Sequence, residues 1–198
     1  MPKGFLKIYF LCFGLLDAVA LSVAFYYSLS VIGTFFSYFT VLSNIFITIV
    51  FLFLGLYKKK KIPKLIIALY PPAVLYMTIT GIVFWTILRN NHHLETIMWI
   101  NLVLHAAMPI AVFIGWVLFS PRKYIPFKTA FAWLIFPLFF VFYTLVRGPI
   151  VNWYPYPFLN PKIIGGYEGV FLYVLGILAG SFVVSLFIIS ISNAKNKK

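Results

Sequence analysis

Thr96-Ile-Met-Trp-Ile-Asn-Leu-Val-Leu-His-Ala-Ala-Met-Pro-Ile-Ala-Val-Phe-Ile-Gly-Trp-Val-Leu-Phe119 contains no Lys, Arg, Asp or Glu, and it exceeds the roughly 20 residues that a helix needs to cross a bilayer core. Apolar runs of this kind recur along the chain with short polar breaks, at approximately Phe5 to Leu29, Phe35 to Tyr57, Leu65 to Leu88, Phe127 to Val146 and Gly169 to Ile191. Backbone groups in lipid must be bonded within the segment or within a closed barrel. Strands that alternate polar and apolar residues are absent from the sequence, so each run is expected to be a helix. The expected fold is all-α: one transmembrane domain over residues 1–198, a bundle of six helices.

Composition agrees with that class. The 198 residues are 63% hydrophobic and 10% charged, with a mean hydropathy of +1.02, which excludes a soluble domain with a polar surface. The formal charge of +13 sits in short clusters between the apolar runs. That is how membrane topology is encoded, and it argues against a nucleic-acid partner. Cys12 is the single cysteine, so no disulfide forms within the chain. Lys3 and Lys7 followed by an apolar stretch and Ala18-Val-Ala20 resemble a signal peptide, but the run continues to Leu29 without a polar start beyond it and is read as a helix.

Thirteen of the 16 Lys and Arg fall on one side of the alternating breaks: Lys3, Lys7, five from Lys58 to Lys64, Arg122, Lys123, Lys128, and Lys195, Lys197 and Lys198. The other side has Arg89, Arg147 and Lys162. Both termini are therefore expected to be cytoplasmic, in a multi-pass protein of the cell membrane. Lys58-Lys-Lys-Lys61 is read as a topology anchor on anionic headgroups.

Within this frame His105 asks for a chemical reason, since an ionisable residue at membrane depth by default faces a protein interior or cavity. Asn101 lies one turn away on the same face, and Pro109 a turn deeper, where a freed carbonyl or a kink is expected. In the second run Ser37, Thr40, Asn44 and Thr48 recur at spacings of three, four and four, which lines up one polar face. Thr40 and His105 both fall in the outer half of the membrane by this topology. A hydroxyl beside an imidazole suits nucleophilic acyl transfer: the imidazole removes the hydroxyl proton during attack and returns a proton to the leaving group. Asn44 or Asn101 then serves as an oxyanion donor or orienting group. The alternative for Thr40 is a hydroxyl bonded to a preceding carbonyl or to another helix.

Other residues carry weaker signals. Asp17, mid-way along the first run, either orients His105, carries a proton, or is a neutral packed carboxyl. His92, His93 and Glu95 are read as loop residues, since adjacent histidines without a second cluster make a poor metal site. No HExxH, paired cysteines or Gly-rich phosphate loop occurs, and no metal or cofactor is expected. Tyr76 and Thr80 are read as packing. Gly176 and Gly180 have the spacing of a close helix contact, within the bundle or between protomers of a homo-oligomer. Arg147, followed by Gly148 and Pro149, is read as the end of the fifth helix, holding the carboxylate of Glu168 or of a fatty acid. Asn152-Trp-Tyr-Pro-Tyr-Pro-Phe158 combines prolines that fix extended geometry with aromatics suited to the headgroup region.

Taken together, Tyr38-Phe-Thr-Val-Leu-Ser-Asn44, Thr80-Gly81, Asn101-x-x-x-His105-x-x-x-Pro109, Trp133 with Pro137, Arg147-Gly148 and Trp153-Tyr-Pro-Tyr-Pro-Phe-Leu159 resemble the androgen-induced membrane hydrolase family, in particular its bacterial branch. The resemblance spans nearly the whole chain. It implies a six-helix membrane enzyme that hydrolyses fatty acid esters of hydroxy fatty acids, with Thr40 as nucleophile and His105 as its partner. The competing expectation is non-enzymatic: a small transporter, channel or lipid-binding protein whose polar residues line a path. A Thr40 hydroxyl more than about 6 Å from the His105 ring would favour that second reading.

Overall fold

The structure is a computed structural model that describes residues 3–57, 62–89, 97–121 and 123–196. Lys58 to Lys61, His92, His93, Glu95, Thr96, Arg122, Lys197 and Lys198 lie outside the described residues. Among those described, every regular element is helical, and six helices are long and apolar enough to cross a membrane. They are α1 (Gly4–Tyr27), α2 (Phe39–Leu56), α3 (Lys64–Leu88), α4 (Met98–Phe119), α5 (Thr129–Val151) and α6 (Tyr167–Asn196). The protein is thus an all-α, multi-pass integral membrane protein.

An even number of crossings returns both chain ends to the same end of the bundle. The opposite, distal end carries the connections at residues 28–38 and 152–166. α1 packs along α2, and α3 packs against α2, α4 and α6, so α3 is the central helix. The apolar window of α3 is 61% buried, against 22% for α5 and for α6, which leave most of their surface for lipid. Ala73, Val74, Leu75 and Met77 of α3 share one buried apolar core with Ile47 and Val50 of α2 and Met108 and Val112 of α4, and the Asp17 side chain of α1 is also fully buried.

Proline shapes α4 and α5, and α3 repairs the consequences. Pro137 has no N–H for the Trp133 carbonyl one turn back, and α5 has a single non-helical residue at Leu134. The Tyr76 hydroxyl donates to that freed carbonyl at 2.9 Å. Pro109 does the same in α4, freeing the carbonyl of His105, to which the Trp85 indole N–H donates at 3.0 Å. Gly81 permits the close approach of α3 to α4 at this point, since a Cβ there would lie 2.8 Å from Pro109 Cβ.

The distal end differs from the sequence expectation in three places. The second run is not one helix: Ile32–Phe35 forms a short turn of helix, Tyr38 is extended (φ −90°, ψ 128°), and α2 begins at Phe39. Ser37 therefore does not share the face of Thr40, Asn44 and Thr48; its hydroxyl donates to the Gly33 carbonyl. α5 continues beyond Arg147 to Val151, where Asn152 in the left-handed region (φ 51°) caps it. The aromatic-proline segment is a plug and not simply a headgroup belt. Pro157 holds Tyr156 extended (φ −135°, ψ 138°), and Tyr156, Phe158 and Leu159 are buried in the bundle.

The link from that plug to α6 is tight. A Cβ on Gly169 would lie 1.9 Å from the Ile164 carbonyl oxygen, a backbone atom that cannot swing aside as a side chain can. Gly169→Ala is expected to destabilise the fold by about 1–3 kcal/mol, the usual cost of forced overpacking. The measurement is the midpoint of thermal unfolding in detergent, which should fall by several degrees; an unchanged midpoint contradicts the contact.

Candidate active site

Thr40 is the second residue of α2, so its position is set by the break at Tyr38. In the first turn of a helix the backbone N–H groups have no acceptor four residues back, and that end of the helix carries partial positive charge. Most hydroxyls in this bundle bond carbonyls three or four residues earlier, as in Ser22, Thr34, Thr78, Thr86 and Ser190. Both partners of the Thr40 hydroxyl are side chains instead: Oγ1 lies 3.3 Å from His105 Nε2 and 3.2 Å from the Tyr156 hydroxyl.

His105 is held from three directions. Residues Val103–Ala107 form a π-helical turn, in which the Met108 N–H reaches back five residues to Val103. The Leu104 and His105 carbonyls, which Met108 and Pro109 would serve in a regular helix, are met by Asn44 Nδ2 at 3.4 Å and by the Trp85 indole. A second π-helical turn, Phe84–Leu88 in α3, lies opposite. Phe84 stacks on the imidazole with ring centroids 4.0 Å apart and planes 23° apart. The third restraint decides the chemistry. His105 Nδ1 lies 3.1 Å from the Asn101 backbone carbonyl. A carbonyl can only accept, so Nδ1 carries the proton, and in the neutral ring Nε2 presents its lone pair to the Thr40 hydroxyl.

Tyr156 completes the arrangement. The Thr40 N–H donates to its hydroxyl oxygen at 3.1 Å. Burial pushes the phenol up to about 12, with the Thr40 contacts pulling it back, so it keeps its proton at neutral pH. One assignment satisfies all the donors: Tyr156 O–H donates to Thr40 Oγ1, Thr40 O–H to His105 Nε2, and His105 Nδ1–H to Asn101 C=O. Sequence reasoning missed Tyr156 because its motif looks like an interfacial aromatic belt; the available signal was the pair of flanking prolines, which forces the side chain of the residue between them to one side of the strand. Tyr156→Phe leaves the Thr40 N–H without its acceptor and is expected to cost about 1–3 kcal/mol of stability, read as a fall of several degrees in the midpoint of thermal unfolding in detergent. An unchanged midpoint contradicts the bond.

A cavity of about 490 Å³ opens at the distal end onto this cluster, lined by Tyr27, Thr34, Tyr38, Thr40, Asn101 and His105 among others. Comparison with protein-family models, curated proteins and solved structures finds no match for this chain. The site is therefore read from its own chemistry, which is that of a hydroxyl beside a correctly protonated base, in a cavity large enough for part of a small lipid.

The remaining sequence candidates fall inside and outside this cluster. Asn44 is fully buried and donates to the Thr40 carbonyl at 2.7 Å as well as to Leu104, which ties α2 to α4 beneath the hydroxyl. Asn101 orients His105 through its main chain, while its side chain lines the cavity. Asp17 does not meet His105; its Oδ2 accepts from Thr48 Oγ1 at 2.6 Å, deeper along α2. Arg147 donates to the Gly33 carbonyl at 3.3 Å and lies over the Trp153 ring, pinning the short helix 32–35 rather than lining the cavity. Gly176 and Gly180 make no close helix contact in this chain, since a Cβ on either meets nothing within 4 Å.

Proposed function

We propose that this protein is an intramembrane hydrolase of lipid esters with Thr40 as nucleophile and His105 as general base. The observation that carries the reading is the 3.3 Å approach of Thr40 Oγ1 to His105 Nε2, with Nδ1 fixed on the Asn101 carbonyl. Attack forms the bond from Oγ1 to the ester carbon as the hydroxyl proton passes to Nε2. The tetrahedral intermediate then expels the alcohol, which takes that proton, and leaves an acyl-threonine. Water, deprotonated by His105 Nε2, attacks the acyl carbon; the bond to Oγ1 breaks, Oγ1 takes the proton back from Nε2, the acid leaves and the threonine is restored. The positive end of α2, the Tyr156 hydroxyl and the Asn101 side chain are the groups within the cavity suited to the oxyanion.

The charge asymmetry of the sequence supports a distal end that faces out of the cell, so the substrate is a lipid of the outer leaflet. Fatty acid esters of hydroxy fatty acids are the substrate class implied by the resemblance to the androgen-induced membrane hydrolases. The test is labelling of the full-length protein in membranes by an acylating, hydroxyl-directed hydrolase probe, with hydrolysis of a lipid ester followed in parallel. Labelling is expected at Thr40. Labelling that persists unchanged in both Thr40→Ala and His105→Ala refutes the reading and favours a path-lining or lipid-binding role.

A further inference from the structure

Thr40 and Tyr156 stand in a wall between two spaces. On the α1–α4 side is the cavity of about 490 Å³, with tyrosine, threonine and asparagine groups at its edges. On the other side, between α3, α5 and α6, is a narrow slot of about 70 Å³ lined by Thr40, Tyr156, Phe140, Val141, Val174 and Leu178 among others. The polar groups at its inner margin are already satisfied: Thr80 Oγ1 pairs with Ser43 Oγ at 2.9 Å, and the Ser181 hydroxyl donates to the Ile177 carbonyl. The slot therefore offers hydrocarbon and no free donor to whatever enters it.

Ile79, Val83 and Ile177 line both this slot and a groove of about 400 Å³ between α3 and α6, so the two spaces adjoin across those apolar side chains. The floor of that groove includes Gly176 and Gly180, both on the lipid-facing surface of α6, with Leu172 beside them. In a bilayer an open apolar groove of this kind faces the acyl chains of the surrounding lipid, and only the Ile79, Val83 and Ile177 side chains stand between it and the buried slot.

We propose that the acyl chain of the substrate occupies this slot and runs out between Val83 and Ile177 into the Gly176–Gly180 groove, while the alcohol portion and the hydrolytic water use the larger cavity beside His105. The proposal rests on the hydrolase reading for the identity of the bound chain. It assigns the glycines a role that the bundle does not: they keep the lateral entrance clear. It also separates the two halves of the ester by polarity, the acyl half on the α3–α6 side and the leaving half on the α1–α4 side, with Thr40 at the boundary.

The experiment uses the full-length protein in phosphatidylcholine vesicles and two esters, p-nitrophenyl butyrate and p-nitrophenyl palmitate. Gly176→Phe and Gly180→Phe fill the groove without a backbone clash, since a Cβ at either position meets open space. Each is expected to lower the palmitate-to-butyrate ratio of kcat/KM at least fivefold. The same bulk at Ile8, on the exposed face of α1, should leave the ratio as in wild type. A ratio unchanged by both glycine variants overturns the assignment. A diazirine-bearing palmitate, photo-crosslinked in the same vesicles, gives a readout that does not need turnover. Crosslinks to residues 79–88 and 172–181 support the slot, and crosslinks concentrated on residues 24–35 instead overturn it. If wild type hydrolyses neither ester, the hydrolase reading fails, and the crosslink still decides whether an acyl chain lies in the slot.

Discussion

Thr40→Ala is expected to lower lipid-ester turnover by on the order of 10³-fold or more, to the rate of the bilayer alone. The substitution removes the oxygen proposed as nucleophile while leaving the backbone N–H that donates to Tyr156, so α2 still starts where it does. It deprives the Tyr156 hydroxyl of one acceptor, which costs about 1 kcal/mol of stability and does not unfold a bundle of six helices. Thr40→Ser separates the chemistry from the packing. It keeps the hydroxyl and loses the γ-methyl that restricts χ1, so the oxygen spends less time facing His105. Turnover in Thr40→Ser is expected to fall about tenfold, not a thousandfold. Measured as kcat on a purified preparation, Thr40→Ala at more than a tenth of wild type would place the nucleophile elsewhere.

How much of this was written plainly in the sequence depends on whether the signal is one of hydropathy or of local geometry. The six helices follow from apolar runs of bilayer length, and the cost of unsatisfied backbone in lipid leaves no other regular structure for them. Pro109 likewise announced a freed carbonyl, and the His105 carbonyl is the one it frees. The break before α2 was hidden because Phe35, Phe36, Tyr38 and Phe39 are as apolar as the helix they interrupt; hydropathy cannot distinguish an extended tyrosine from a helical one. The π-helical turns were hidden for a related reason: they change the direction of side chains without changing composition, and they are what bring Phe84 onto the His105 ring and Asn44 onto the Leu104 carbonyl. Tyr156 was hidden by its setting, because a tyrosine among tryptophan and prolines at a helix end reads as interface. Arg147 was legible as an odd cation at the distal end, but a charge pattern does not say that its guanidinium donates to the Gly33 carbonyl.

These local features act together on one ring, and that gives the second large effect. His105→Ala is expected to reduce turnover by about 10²- to 10⁴-fold, since a positioned base contributes that much and the Thr40 hydroxyl has no other base beside it in the described structure. The double variant Thr40→Ala/His105→Ala should be no slower than Thr40→Ala. Once the oxygen is gone the imidazole has no proton to take, so the losses do not add. The control for folding is the ring's own neighbours: the Trp85 indole bonds the backbone carbonyl of residue 105, which alanine retains, so α3 and α4 stay docked and the unfolding midpoint moves by a few degrees at most. The open cavity beside His105 supplies a further check, because free imidazole added to His105→Ala can enter the vacated space beside Thr40 and restore part of the rate. Additive losses in the double variant, each single variant retaining measurable turnover of its own, would mean that Thr40 and His105 act separately, and the 3.3 Å contact between them would then be packing rather than catalysis.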